Sequence, residues 1–337
     1  MKKTMVNQIF PQRGVALITV MLVVALAAII ATQMTARLQL QLQRTTNIQF
    51  NQQAYWYAMG AEAFSKRILI ADNEQDKDVT HLEQQWAQGY NSFPVDFGEI
   101  SGGIFDLHAC LNLNALRVDD ANKNGDGNEE KSPARLTLER LITTLGVEGV
   151  SEFEAQYMTD ALVDWLDQND SINSAGGAED NDYAGKEFPY FSANHYLASV
   201  NELRIVEHFT PVVINALKPH VCVIPESNSH QININTLNAE KPELLQALLD
   251  ISASEAGEIL EARDESGYEN INDFYNSSEM AKLNLTDQQK QQFVVDSEYF
   301  TLQASTSFND SYFNLNSTMK VINNTKIHVI SRTIGRP

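Results

Sequence analysis

The sequence predicts an α+β protein: one long N-terminal helix, an antiparallel sheet, and a large, mainly helical domain inserted into that sheet. Three observations predict it. From Val15 to Met59 there is no Gly or Pro, and the helical pattern continues through Gln33, Leu38, Leu42 and Tyr55, so nothing interrupts a single helix. Strand-like patterns occur at 97–113 and again at 299–334. Between them, from about 115 to 290, apolar residues recur at helical spacing. Strands at both ends of a helical block read as one sheet interrupted by an insertion.

The helix begins in a segment built for lipid. Val15 to Ala31 is apolar except for Thr19. Val15 to Met34 spans about 30 Å as a helix, enough for a hydrocarbon core, and a helix satisfies every backbone polar group there. Lys2, Lys3 and Arg13 stand on one side, so the positive-inside rule puts the N-terminus in the cytoplasm and the body outside. A signal peptide cut near Ala25-Leu26-Ala27 and an uncleaved anchor are the competing readings. The length of the apolar run, and its continuation into a helical pattern with no turn signal, favour retention of the segment.

The body follows in order. Residues 72–96 are polar, with a short helix expected around His81 to Gln88. Gly102-Gly103 marks a turn, after which Ile104, Leu107, Ala109 and Leu111 alternate as a strand. The inserted block shows helical spacing at 136–145, 153–166, 242–249 and 254–263. Its second half, about 232–280, resembles a helix-hairpin-helix module, with Asn235-Thr236 leading and Gly267-Tyr268-Glu269 as a joint. Phe300, Leu302, Phe313, Leu315, Met319, Val321, Ile327, Val329 and Ile330 return to strand, separated by Asn-Asp and Asn-Asn turn signals.

Composition bounds the chemistry. The formal net charge is −20, and a chain starting at Val15 keeps 21 basic against 44 acidic residues, a net −23. Such a body is repelled by nucleic acid and attracts cations. Glu243, Glu255, Glu258, Glu261, Asp264, Glu265 and Glu269 crowd the helix-hairpin-helix-like segment, so it reads as scaffold and not as a phosphate binder. Cys110 and Cys222 are the two cysteines; they fit one disulfide in an oxidising compartment or two buried thiols.

Two carboxylate groups are candidate calcium sites. Asp164, Asp167 and Asp170 end a helix, and Glu179, Asp180 and Asp182 follow on a Gly-hinged loop. Asp164 and Asp167 share a helix face. Calcium takes about six to eight oxygens from sets of this kind; a solvated acidic loop is the competing reading. The weaker candidate is Asp120, Asn122, Asn124 and Asp126, which match the start of an EF-hand loop with Gly125 at position six, but Lys131 stands where the bidentate Glu belongs. Motifs of serine hydrolases, zinc peptidases and phosphate-binding loops are absent from the sequence, so the chain does not read as an enzyme.

Gln12-Arg13-Gly14 ahead of Val15 to Leu22 resembles a type IV prepilin leader. The resemblance implies cleavage between Gly14 and Val15 by prepilin peptidase. Two positions depart from the pattern: Val15 replaces the usual aromatic residue, and Thr19 replaces the Glu usual at the fifth mature position. In pilin-like fibres that Glu pairs with the N-terminal ammonium of a neighbour. A subunit with no neighbour ahead of it does better with a neutral residue, because an unpaired carboxylate in lipid is expensive, and Thr can return its hydroxyl to a carbonyl one turn back.

Asn112-Leu113-Asn114, Asp164-Trp165-Leu166-Asp167, Gly177-Ala178-Glu179-Asp180, Asn201-Glu202-Leu203 and Ile234-Asn235-Thr236, in that order and with the leader, resemble the type II secretion minor pseudopilin K family. The resemblance implies a type IV pilin-like fold: leader 1–14, membrane half of the helix 15–36, rod and first strands 37–114, inserted helical domain 115–290, returning strands 291–337. It also implies calcium in the inserted domain, other pseudopilins (the minor pseudopilins I and J among them) as partners, and a place at the pseudopilus tip. The body would lie in the periplasm, held by a single pass through the inner membrane. The rival class is a membrane-anchored, calcium-dependent periplasmic enzyme.

Overall fold

The computed structural model describes residues 14–117, 131–323 and 325–335. Helix α1 runs without a break from Val15 to Gln75, about 90 Å at 1.5 Å per residue. Every residue from Gly14 to Gln49 is exposed. Burial then begins on one face only: Ala54, Ala58, Glu62, Ser65, Leu69 and Asp72, spaced three and four apart as one helical stripe requires. The helix therefore has two working halves, a bare stem and a packed rod.

The rod lies on a five-stranded antiparallel sheet built from β1 (Asn91–Val95), β2 (Gly98–Asp106), β7 (Tyr299–Phe308), β8 (Ser311–Ile322) and β9 (Lys326–Ile334), in the order β1-β2-β7-β8-β9. Ala58 and Leu69 of the rod meet Ile104, Phe300, Leu302, Leu315 and Met319, with Trp86 closing one end. Alternation along β7 and β8 puts these side chains on the rod-facing side. The expected helix near His81 is a single 3-10 turn, Gln85–Ala87, which carries Trp86 into the core.

Asp106 pairs with Phe300 across β2 and β7, so the chain leaves the sheet after Asp106 and rejoins it at Tyr299. This differs from the expected strand through Leu113. Leu111 and Leu113 do alternate, but they belong to the inserted head: β3 (Leu111–Asn112) pairs in parallel with β4 (Val221–Cys222), and both leucines are fully buried in the head core. Likewise β5 (Ile232–Asn233) pairs in parallel with β6 (Phe293–Val294). Between these short ladders lie α2 (Pro133–Thr144), α3 (Glu152–Leu166), α4 (Asp180–Ala184), α5 (Pro211–Leu217), α6 (Glu243–Leu249), α7 (Ala253–Glu261), α8 (Ile271–Tyr275) and α9 (Asp287–Gln291). Both halves of the insertion share one core, in which Leu138, Leu162, Trp165, Ile214, Leu245 and Phe274 are buried together.

The waist between head and sheet is polar and closed. Buried Asp106 accepts from Thr236 Oγ1 at 2.5 Å, Ser297 Oγ at 2.6 Å and the His108 amide at 2.7 Å. A disulfide joins Cys110 to Cys222, with Cα atoms 5.8 Å apart. Asn233 ties the head to the rod end through Thr80 O, 3.2 Å, and Ser297 Oγ, 2.8 Å. Buried asparagines do similar work beside β3: Asn112 donates to Ser227 O and Ser229 O, and Asn114 donates to Leu197 O and Ile224 O.

Candidate functional site: an acidic pocket in the head and a bare apolar stem

Helix α3 starts on a Ser151–Glu154 capping box and stops at Leu166, where Asp167 caps it in extended conformation. Its buried face carries three carboxylates one turn apart: Asp160, Asp164 and Asp167, each at most 1% exposed. Asp160, which the sequence reading did not single out, is matched by the Arg135 guanidinium and by the Gly176 amide at 3.3 Å. Arg117 donates to Leu166 O at 2.8 Å, at the negative end of the helix, and lies over the Tyr196 ring.

Asp164 and Asp167 both accept hydrogen bonds from asparagine amides. Asp164 Oδ1 accepts from Asn173 Nδ2 at 3.0 Å, and Asp164 Oδ2 is buried with no hydrogen-bond donor. Asp167 accepts from the Asn169 amide and from the side chains of Asn169 and Asn173. Glu179, buried across the loop, accepts from Ser192 Oγ at 3.0 Å through Oε2, while its Oε1 has no partner. Burial pushes the Glu179 carboxyl up to about 7, with the charges of Asp164, Asp167 and Asp170 adding to it. Burial likewise raises Asp164 to about 6. Asp170 sits at the exposed rim and accepts from Asn194 Nδ2 at 2.9 Å, which leaves the buried Asn194 Oδ1 unpartnered.

The expected set of six is thus divided. The structure brings Asp164, Asp167 and Glu179 together, with Asp170 at the rim. Asp180 instead accepts from the Ser192 amide and hydroxyl, at 2.9 and 2.8 Å. Asp182 points back to accept from the Glu179 amide at 3.0 Å, closing the capping box of α4. Its spacing from Glu179 is the capping-box spacing, a local signal that competes with a ligand role. Among the described residues, no group of three or more His, Cys, Asp or Glu side chains is placed to hold a metal ion. Three buried oxygens, from Asp164, Glu179 and Asn194, have no hydrogen-bond partner. Asp120, Asn122, Asn124 and Asp126 lie outside the described residues.

The stem presents the second feature. Its best window has a mean hydropathy of 2.8 and no residue buried, which makes α1 long and apolar enough to cross a membrane. Gly14 stands at the helix start, followed by exposed Val15. The three hydroxyls of the segment are returned to the helix: Thr19 to Ala16 O at 2.9 Å, Thr32 to Ile29 O at 2.8 Å, and Thr35 to Ala31 O at 2.9 Å. Thr19 therefore costs the span no unsatisfied donor.

Comparison with known proteins gives a consistent result. Two family models, both described as type II secretion system (T2SS), protein K, match residues 109–226 and 232–296. These two matches cover the two halves of the head. A type II secretion system protein K from Aeromonas hydrophila is 39% identical over 260 residues, covering 76% of this chain and 77% of the relative. One from Pseudomonas aeruginosa is 30% identical over 331 residues, covering 96% and 93%. The crystal structure of the GspK-GspI-GspJ complex from enterotoxigenic Escherichia coli contains a chain similar to this one with a TM-score of 0.76 and 30% identity, covering 87% of this chain and 100% of that chain.

Proposed function

The chain belongs to the type II secretion system protein K family, the minor pseudopilins, and from that premise we propose that it sits at the tip of the pseudopilus and helps to initiate or cap the fibre. The observation that carries this reading is the bare stem: a helix half exposed on every side, with no charged residue from Val15 to Ala36, on a chain that also carries a head as large as an ordinary domain. The stem docks laterally among other pseudopilin helices in the inner membrane. The head, inserted beside the sheet, is too bulky to repeat along a thin fibre and therefore belongs at its end. A neutral Thr19 suits that end, since no subunit ahead offers an ammonium for a carboxylate to pair with.

Prepilin peptidase would free Val15 by cutting after Gly14, on the cytoplasmic side, and the body would lie in the periplasm. The partners are the minor pseudopilins I and J, as in the complex of the Escherichia coli relative. Fibre growth would then push folded exoproteins through an outer-membrane channel.

A structural calcium ion in the head is the second part of the proposal, supported by the unpartnered oxygens of Asp164 and Glu179. Asp164, Asp167, Glu179 and Asp170 would hold it, with the amide oxygen of Asn194 in reach, and the ion would supply the positive charge that the partnerless oxygens lack. Its role there is structural: it ties the end of α3 to the loop that carries Glu179.

Mass spectrometry of the mature N-terminus tests the stem reading. A start at Val15 is expected; an intact leader or a start near Ala28 overturns it. Thr19→Glu should disturb fibre assembly and secretion, and unchanged secretion would remove the argument from the fifth position.

A further inference from the structure

One apolar groove of about 320 Å³ lies beside the rod, between α1 and the β1–β2 hairpin. Gly60, Phe64 and Ile68 form one wall; Trp86 and Ile104 form the floor; Phe93 stands opposite. Phe64 and Phe93 meet edge to face across it, ring centroids 6.5 Å apart, and both are more than half exposed. No charged residue lines the groove. Gly60 borders open space: a Cβ there would meet nothing within 4 Å.

The groove is the upper end of a longer seam. At 3.6 residues per turn, Leu17, Val24, Leu38, Leu42, Trp56 and Phe64 fall within one sector of about 80° around α1. All six are more than half exposed. Because α1 is unbroken from Val15 to Gln75, this sector runs from the membrane stem to the groove with no change of face. Whatever covers the stem laterally is led along the same face to Phe64.

We propose that the groove is the socket for a bulky apolar side chain on the helix of a neighbouring pseudopilin, so that the seam from Leu17 to Phe64 is one continuous helix–helix interface. The inference rests on the pseudopilin reading above and specifies its contact face. The occupant is a neighbouring helix for two reasons. The seam is continuous with the stem, whose lateral partners in that reading are pseudopilin helices. The groove is also uncharged, which matches an apolar knob and excludes a charged loop, since a buried charge without a partner is costly. Aromatic-lined, water-excluding pockets are where interface energy concentrates.

The test uses the full-length chain produced in membranes together with pseudopilins I and J. Gly60→Leu adds a side chain whose Cβ meets nothing within 4 Å and removes a helix glycine, so the body should melt at or above the wild-type temperature. Recovery of I and J with this variant should fall about tenfold. In parallel, a photo-crosslinking phenylalanine analogue at Phe93 should yield an adduct with I or J, and the same analogue at Tyr312, exposed on the sheet, should not. Undiminished recovery with Gly60→Leu, or an adduct at position 93 with lipid alone, overturns the proposal. Crosslinks from Val24 to pseudopilins with none from position 93 overturn the socket and leave the pseudopilin reading standing. The absence of pseudopilin crosslinks at both positions overturns the two together.

Discussion

Glu62 and Glu179 are both buried carboxylates, 1% and 3% exposed, and the protein treats them in opposite ways. Glu62, on the rod, faces the sheet. Arg332 donates to it twice, at 2.6 and 2.9 Å, Lys66 at 2.7 Å and Ser317 at 2.8 Å. Burial alone would raise its carboxyl, but these donors hold it down at about 2. Glu179, in the head, has one hydroxyl donor and three carboxylate neighbours, and is pushed the other way. The chain thus supplies cations to a buried carboxylate where the fold needs a self-contained joint. At Glu179 the donor is a hydroxyl, Ser192 Oγ, and the neighbouring carboxylates add to the rise. Asp160, one turn from Asp164, is paired with Arg135, so the same helix face also carries a carboxylate matched within the chain.

The largest effect is expected from the disulfide at the foot of the head, whose two cysteines both lie between the exit at Asp106 and the return at Tyr299. Replacing Cys110 and Cys222 with Ser removes a link across 112 residues, and a loss of about 3–4 kcal/mol is expected, somewhat below the ~4.7 kcal/mol of the chain-entropy figure for a loop of about 100 residues. Because the link lies within the head, the head should melt in a step below that of the rod and sheet by calorimetry, and calcium should raise only the head's step. A single transition that calcium raises as a whole would show that the waist around Asp106 makes head and sheet melt as one unit.

Glu62→Gln comes next. It leaves Arg332 and Lys66 without a counter-charge at the sheet, and a loss of about 2–3 kcal/mol is expected, less than for a fully buried pair because Arg332 is half exposed. The sign with pH follows from the direction of the shift. With the folded carboxyl near 2 against an ordinary 4.5, the stabilisation is complete above about 4.5 and fades as pH falls toward 2. The variant should lose this acid dependence. Wild-type denaturation curves that stay flat between pH 4.5 and 2.5 would contradict the pairing.

For the head, calcium at about a hundred times its dissociation constant should stabilise by about 2.7 kcal/mol, by mass action on the folded state. The double variant Asp164→Asn, Glu179→Gln should erase that response. It should also be at least as stable as wild type in chelator, because it removes two buried charges that lack partners. A double variant much less stable than wild type in chelator would mean that these carboxylates are satisfied as they stand, and the contrast with Glu62 would fail.

The contrast was only half legible in the sequence. The unbroken helix could be read from the absence of Gly and Pro up to Gly60, and the returning strands from turn signals at Asn309-Asp310 and at Asn323, where the chain takes positive φ at Asn309 and Asn323. Asp164 and Asp167 could be placed on one face by spacing alone. The partners could not be placed: Arg332 reaches Glu62 from 270 positions away, and nothing local marks either residue. Asp160 looked like the rest of α3 because its arginine is on another helix. Asp182 was misleading for a different reason, since a carboxylate three residues after another serves a helix start as readily as an ion. The exit of the chain at Asp106 was hidden because Leu111 and Leu113 keep a strand's alternation inside the head, where a two-residue ladder and the buried amides of Asn112 and Asn114 replace a sheet.

The smallest predicted change tests the pocket's shape without touching a charge. Gly177 has ordinary, non-positive φ, so alanine there carries no backbone strain, but its Cβ would run into Asp164 Oδ2 and crowd Ile172 Cγ2 at 2.9 Å. The carboxylate must turn away, and its partnerless oxygen is the atom that would give way first. Gly177→Ala should therefore cost about 1 kcal/mol in chelator, as a modest overpacking, yet weaken the calcium-induced rise in melting temperature by more than that loss alone explains. If the calcium response survives in full, Asp164 Oδ2 does not reach the ion, and the cation, if bound, is held by Glu179 and the rim. If both stability and response are unchanged, the close approach of Gly177 to Asp164 is not maintained in solution, and the head pocket is wider than the structure draws it.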